Sequence, residues 1–156
     1  MANSQLIALL DEGFRKRAWH GTNLMGSIRG LDPEAAAWRP APGRHNIWEL
    51  IVHCAYWKYT VTRRLTGAKR GSFPHEGSNF FIRNGGTTGD LKRDVRLLRR
   101  CHRDLVDAVS RVKPKDLGKR PPLGKRWTRE ESIRGVACHD VYHAGQIQLL
   151  KRLQEG

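Results

Sequence analysis

Residues 128–154 read TREESIRGVACHDVYHAGQIQLLKRLQ, and this stretch decides the fold. Thr128 with Glu131 three residues later forms a capping-box pair, in which each side chain satisfies the other's backbone N–H at the start of a helix. From there the spacing predicts a helix to about Gln154, with Ser132, Val136, His139, His143, Gln146, Leu150 and Leu153 on one face. Three consecutive positions of that apolar stripe are polar. Burying such groups without partners costs on the order of 2 kcal/mol each, so the fold must supply partners. His139 and His143 lie one turn apart, which lets two imidazoles converge on one cation. The same spacing also describes hydrogen-bonded histidines in a packed core.

Working outward, Asn46 opens another long helix with Glu49 in the capping-box position, and Gly67 stops it after about Leu65. Its seam is Leu50, Cys54, Trp57, Val61 and Leu65, and His53 sits at the flank of that seam. A third imidazole can therefore face the same interior. Three neutral histidines leave at least one coordination position open, the pattern of a reactive metal site; the alternative is a hydrogen-bonded His53 packed on Trp57. A further helix begins near Thr87 or Thr88, with Leu91, Val95, Leu98, Leu105, Val109 and Val112 recurring at spacings of four and three. His102 shares that seam and reads as a satisfied core histidine. At the N-terminus, Leu6, Leu9, Leu10 and Phe14 mark a helix from about Ser4 to Arg17, resuming after Gly21 as far as Ile28. Asp32-Pro33-Glu34 predicts a short helical turn through Ala37. Gly, Pro, Ser and Asn residues between Gly67 and Gly89 predict a long irregular crossover, pinned by Phe73, Phe80 and Phe81. No segment alternates with period two. The expectation is an all-α four-helix bundle forming one domain over residues 1–156.

The composition agrees with a globular chain: 156 residues, 38% hydrophobic, five Trp. No apolar run is long enough for a membrane span, and MANSQLIALLDEGF lacks a basic region ahead of its apolar residues, so a cytoplasmic protein is expected. Cys54, Cys101 and Cys138 are an odd set without Cys-x-x-Cys spacing and read as free, buried thiols. Charge is the unusual property, since 29 Lys and Arg against 15 Asp and Glu leave +14. Lys92, Arg93, Arg96, Arg99, Arg100 and Arg103 lie opposite an apolar seam, and Lys113, Lys115, Lys119, Arg120, Lys125 and Arg126 follow. Such a face could contact nucleic acid or another polyanion as a non-catalytic binding module. Aromatic residues do not alternate with these charges and no nucleic-acid-binding motif occurs, which favours a solvated basic surface.

Other residues offer weaker signals. His20 precedes Gly21 at a helix break and is a pocket candidate. Gln146, one turn beyond His143, could meet a substrate or fix a ligand's second ring nitrogen, and Trp57 is placed to line the same pocket. Gly145 would admit a close neighbour. Glu49 is accounted for by its cap. Asp140 is rotated about 100° from the histidine stripe, so no obvious general base is visible.

Two of these stretches, His139-Asp140-Val141-Tyr142-His143-Ala144-Gly145-Gln146-Ile147 and Ile47-Trp48-Glu49-Leu50-Ile51-Val52-His53, together with Ala18-Trp19-His20-Gly21, resemble motifs of the DinB/YfiT-like superfamily. That resemblance implies a four-helix bundle, often a homodimer, with a triad at His53, His139 and His143 binding zinc, nickel or a similar divalent ion. It also implies a metal-dependent transferase or hydrolase acting on a small molecule. Some similar proteins transfer low-molecular-weight thiols such as bacillithiol, and mycothiol-dependent isomerases resemble them.

Overall fold

A computed structural model describes residues 2–124 and 126–156; Lys125 of the basic run therefore lies outside the described residues. Six α-helices follow in order: α1 (Ala2–Phe14), α2 (Leu24–Ser27), α3 (Pro33–Ala37), α4 (Ile47–Thr66), α5 (Thr88–Ser110) and α6 (Arg129–Gln154), with a 3-10 turn at Pro114–Asp116. The described residues contain no β-strand, only an isolated bridge between Ala18 and Gly21. The fold is all-α. Its four longer helices pack as a ring, α1 against α5 and α6, and α4 against α5 and α6. Among the described residues no helix is long and apolar enough to cross a membrane.

Local chemistry sets the helix ends. Asn46, Thr87 and Thr128 each accept a hydrogen bond from the backbone N–H three residues on, and both threonines complete a capping box. Asn46 does not. The Glu49 carboxylate turns away from the Asn46 N–H, toward Arg39, His45 and the Arg83 N–H, so the expected capping box at α4 is half made. Gly67 closes α4 with φ of 76°, a left-handed conformation that costs glycine little. α1 stops at Phe14, earlier than the expected Arg17, because Arg15 and Lys16 N–H both turn back onto the Asp11 carbonyl. The expected resumption to Ile28 shrinks to α2.

Burial corrects the reading of α6. Its core face is Ile133, Val136, Ala137, Asp140, His143, Ala144, Ile147 and Leu150, whereas Leu153 is 51% exposed and Ser132 and His139 are half-buried. α6 packs on α1 as well as α4, so its buried arc is broader than one stripe and displaced toward α1. Close approach occurs at Gly13, where an added Cβ would stand 2.9 Å from the Ala137 carbonyl oxygen. Gly145 is exposed with nothing within 4 Å of such a Cβ, so the expected neighbour there is absent. Cys54 and Cys101 are buried, but Cys138 is exposed, contrary to the sequence expectation. His102 is a core histidine, 3.0 Å from Asp11 and stacked on Phe14 at 3.8 Å. The six basic residues of α5 are all exposed.

The crossover between α4 and α5 is held by polar anchors as well as by Phe73, Phe80 and Phe81. Buried Asp94 accepts from Trp48 Nε1 and Arg83 Nε, each at 2.8 Å. Asn46 Nδ2 donates to the Arg83 carbonyl at 2.6 Å. This irregular chain is thereby fixed against the end of α4 that carries His53.

Candidate metal centre

His53 projects from α4 and His139 and His143 from α6, and their rings meet where the two helices pack. His139 Nε2 lies 3.0 Å from His53 Nε2 and 3.0 Å from His143 Nε2. One nitrogen from each ring falls within 4.8 Å of the other two. Nitrogens about 2.1 Å from a shared ion stand about 3.0–3.4 Å apart, so the spacing suits a common ligand.

The second nitrogens fix the tautomers. His53 Nδ1 is 2.8 Å from the Asn79 carbonyl oxygen, which can only accept, so Nδ1 carries the hydrogen and Nε2 keeps its lone pair. His143 Nδ1 is 2.7 Å from Gln146 Oε1, while the amide's Nε2 donates to the Tyr142 hydroxyl. Again Nε2 keeps its lone pair. His139 Nδ1 is buried and lacks a partner in either tautomer; hydrogen on Nε2 could serve only one of its two neighbours well, whereas with hydrogen on Nδ1 three lone pairs converge on one point. A cation answers that arrangement, so the donor set fits a divalent metal. Burial pushes His53 down to about 4 and His139 down to about 3, and lowers His143 too. All three rings are neutral at pH 7, the form that ligates metal.

A family model described as the DinB superfamily matches residues 17–147. The chain belongs to the DinB superfamily. No curated protein and no solved structure gave a match. The DinB match contains all three histidines and both helices' contact at the triad; α1 lies ahead of it.

Within this DinB-superfamily chain the other expected residues divide. Gln146 lies against the triad as the partner of His143 Nδ1. Trp57 sets its ring edge-on to His53 and His139, with centroids 6.4 Å from each, and donates Nε1–H to Asn79 Oδ1 at 3.0 Å. His20 does not join them: it is exposed and lines none of the cavities around the histidines.

Three contributors went unread in the sequence. Asn79, in a left-handed conformation with φ of 68°, orients both His53 and Trp57; a lone Asn in a polar crossover gives no such signal. His45 lines a cavity of about 710 Å³ together with all three histidines. Its Nδ1 is 2.9 Å from Glu49 Oε2 and its ring stacks on Phe80 at 3.7 Å, with Phe80 in turn stacked on His53 at 4.0 Å. The i, i+4 spacing of His45 and Glu49 was the available clue. Arg39 and His45 hold Glu49 ionised, down to about 2, against the cost of its burial. Finally, Lys58 and Asp140 form a fully buried ion pair beside His139. Burial pushes the Asp140 carboxyl up, and Lys58 opposes it.

Proposed function

We propose that His53, His139 and His143 hold one divalent ion, zinc or nickel, and that the chain is a metal-dependent enzyme acting on a small molecule in the 710 Å³ cavity. The observation that carries this reading is the locking of His53 and His143 with their Nε2 lone pairs aimed at His139. Bound there, such an ion supplies Lewis acidity at the inner end of the cavity, activating a thiol or water as nucleophile.

The chain's own residues divide the remaining work. Asn79 and Gln146 keep hydrogens on the outer ring nitrogens, so the ligand nitrogens stay free without a proton to displace. Leu50, Phe80 and Leu150 present apolar surface that excludes water from the inner cavity. His45 is positioned to take a proton at Nε2, which makes no hydrogen bond among the described residues. Glu49, charged through Arg39, accepts from His45 Nδ1 and orients that ring. Transfer of a low-molecular-weight thiol is the favoured reaction class, on the strength of the DinB/YfiT-like resemblance; hydrolysis uses the same parts.

Protein purified without chelator should carry about one divalent ion per chain by elemental analysis, and His143→Ala should lose it while its circular dichroism stays helical. In a panel of thiol donors and electrophiles, His45→Gln should keep the ion and lose about 10²-fold in turnover. Absence of metal, with a melting temperature indifferent to added zinc and nickel, would reduce the triad to a buried polar cluster.

A further inference from the structure

A second cleft, of about 650 Å³, opens between α4 and α6 and shares only His139 with the first cavity. Its α4 wall carries Trp57, Val61 and Arg64; its α6 wall carries Val136 and Cys138, with Trp127 ahead of the helix. Two indole rings and two valines give the cleft its apolar lining, with Arg64, Glu131, Ser132 and Arg134 as its polar groups. Trp57 is fixed by its hydrogen bond to Asn79, whereas Trp127 is 49% exposed although large and apolar.

The charges lining this cleft are unequally engaged. Glu131 caps α6, accepting from the Thr128 backbone at 2.8 Å and hydroxyl at 2.9 Å. Arg134 stands 3.8 Å from Glu130. Arg64 makes no ion pair among the described residues; its guanidinium lies 5.9 Å from the Trp57 ring centroid. A guanidinium held over an indole and lacking an acidic partner is a fork for a planar anion, and a carboxylate fits it with two parallel hydrogen bonds. The cleft volume falls in the range of small-ligand sites, whose lining is mostly apolar with a few placed polar groups.

We infer that this cleft binds a small aromatic carboxylate, its ring against the indoles of Trp57 and Trp127 and its carboxylate on Arg64. The site lies apart from the cavity of the triad and meets it only at His139. Nothing in its recognition requires the triad beyond the edge of His139.

Cys138 makes the inference testable, because it lines this cleft and is the exposed cysteine of the three. Naphthalene-2-carboxylate and naphthalene-2-carboxamide serve as probes, with binding followed by calorimetry and occupancy by the rate at which iodoacetamide alkylates Cys138. The carboxylate should bind about tenfold more tightly than the carboxamide and slow alkylation several-fold, and Arg64→Met should erase the preference. Trp127→Ala, at an exposed position, should weaken both probes. A carboxylate bound instead to a metal at the triad would leave Cys138 alkylation and the Arg64→Met variant's preference unchanged, and that result overturns the assignment. So does equal affinity for the two probes, or no binding of either.

Discussion

Gln146 touches His143 through a single hydrogen bond of 2.7 Å, and that contact decides which ring nitrogen carries the hydrogen. Replacing it with Leu frees the tautomer without opening the core, since Gln146 is only half-buried. Gln146→Leu should therefore weaken zinc binding by tenfold or more in a competition titration with a chromophoric chelator, with little change in the melting temperature of the metal-free protein. Lys58 and Asp140 behave in the opposite way. Both side chains are fully buried, so removing one partner strands a charge in the interior. Asp140→Leu alone, or Lys58→Met alone, should cost about 3–5 kcal/mol in urea unfolding, and the double variant should recover most of the loss. Additive losses would show that the pair is not the source of the cost.

At the scale of elements, the contact of α1 with α6 turns on glycine. Gly13→Ala places a methyl group 2.9 Å from the Ala137 carbonyl oxygen, a backbone atom that cannot step aside, and should cost about 1–3 kcal/mol. Gly145→Ala meets nothing within 4 Å and should stabilise α6 by about 0.5–1 kcal/mol. Paired denaturant curves would separate the two, and equal effects would contradict the packing described. This contrast also marks what periodicity can and cannot deliver. The capping pairs Thr128 with Glu131 and Asn46 with Gly67 bounded α6 and α4 to within a residue or two, because helix ends are written in local chemistry. The glycine against which a second helix closes is a long-range fact: Gly13 and Ala137 are far apart in sequence, and nothing near either announces the meeting. The α6 stripe was misjudged for the same reason, since it is the position of α1 that rotates the buried face toward Ala137 and Asp140.

For the molecule as a whole, burial of neutral rings predicts how stability follows pH. His53 and His102 are pushed down to about 4 and His139 to about 3, with His143 also lowered, from an ordinary value of 6.5. Below 6.5 the unfolded chain takes up protons that the folded chain refuses, so this contribution is whole above 6.5 and is lost as pH falls toward 4. Glu49, held down to about 2, adds a loss in the same direction at lower pH. The melting temperature of metal-free protein should therefore start to fall near pH 6.5, well above the carboxylate range. A flat profile between pH 7 and pH 5 would mean that the rings are charged in the fold, and the converging lone pairs would not exist. Of the site itself, the triad was legible because one-turn spacing on α6 and a flank position on α4 are local patterns. Asn79 was not, because its role depends on where the crossover lies against α4, and the dyad of His45 and Glu49 had only its i, i+4 spacing to announce it.

His139 is a wall shared by two chambers, since it borders the cavity of the triad and the cleft of Trp57 and Arg64 alike. A ring in that place can adopt only one orientation at a time. Whatever fixes it from one side changes the free energy of occupancy on the other, and thermodynamic reciprocity makes the two influences equal in size. An ion at the histidines and a guest in the cleft would then report on one another through a single imidazole, with no movement of the helices required.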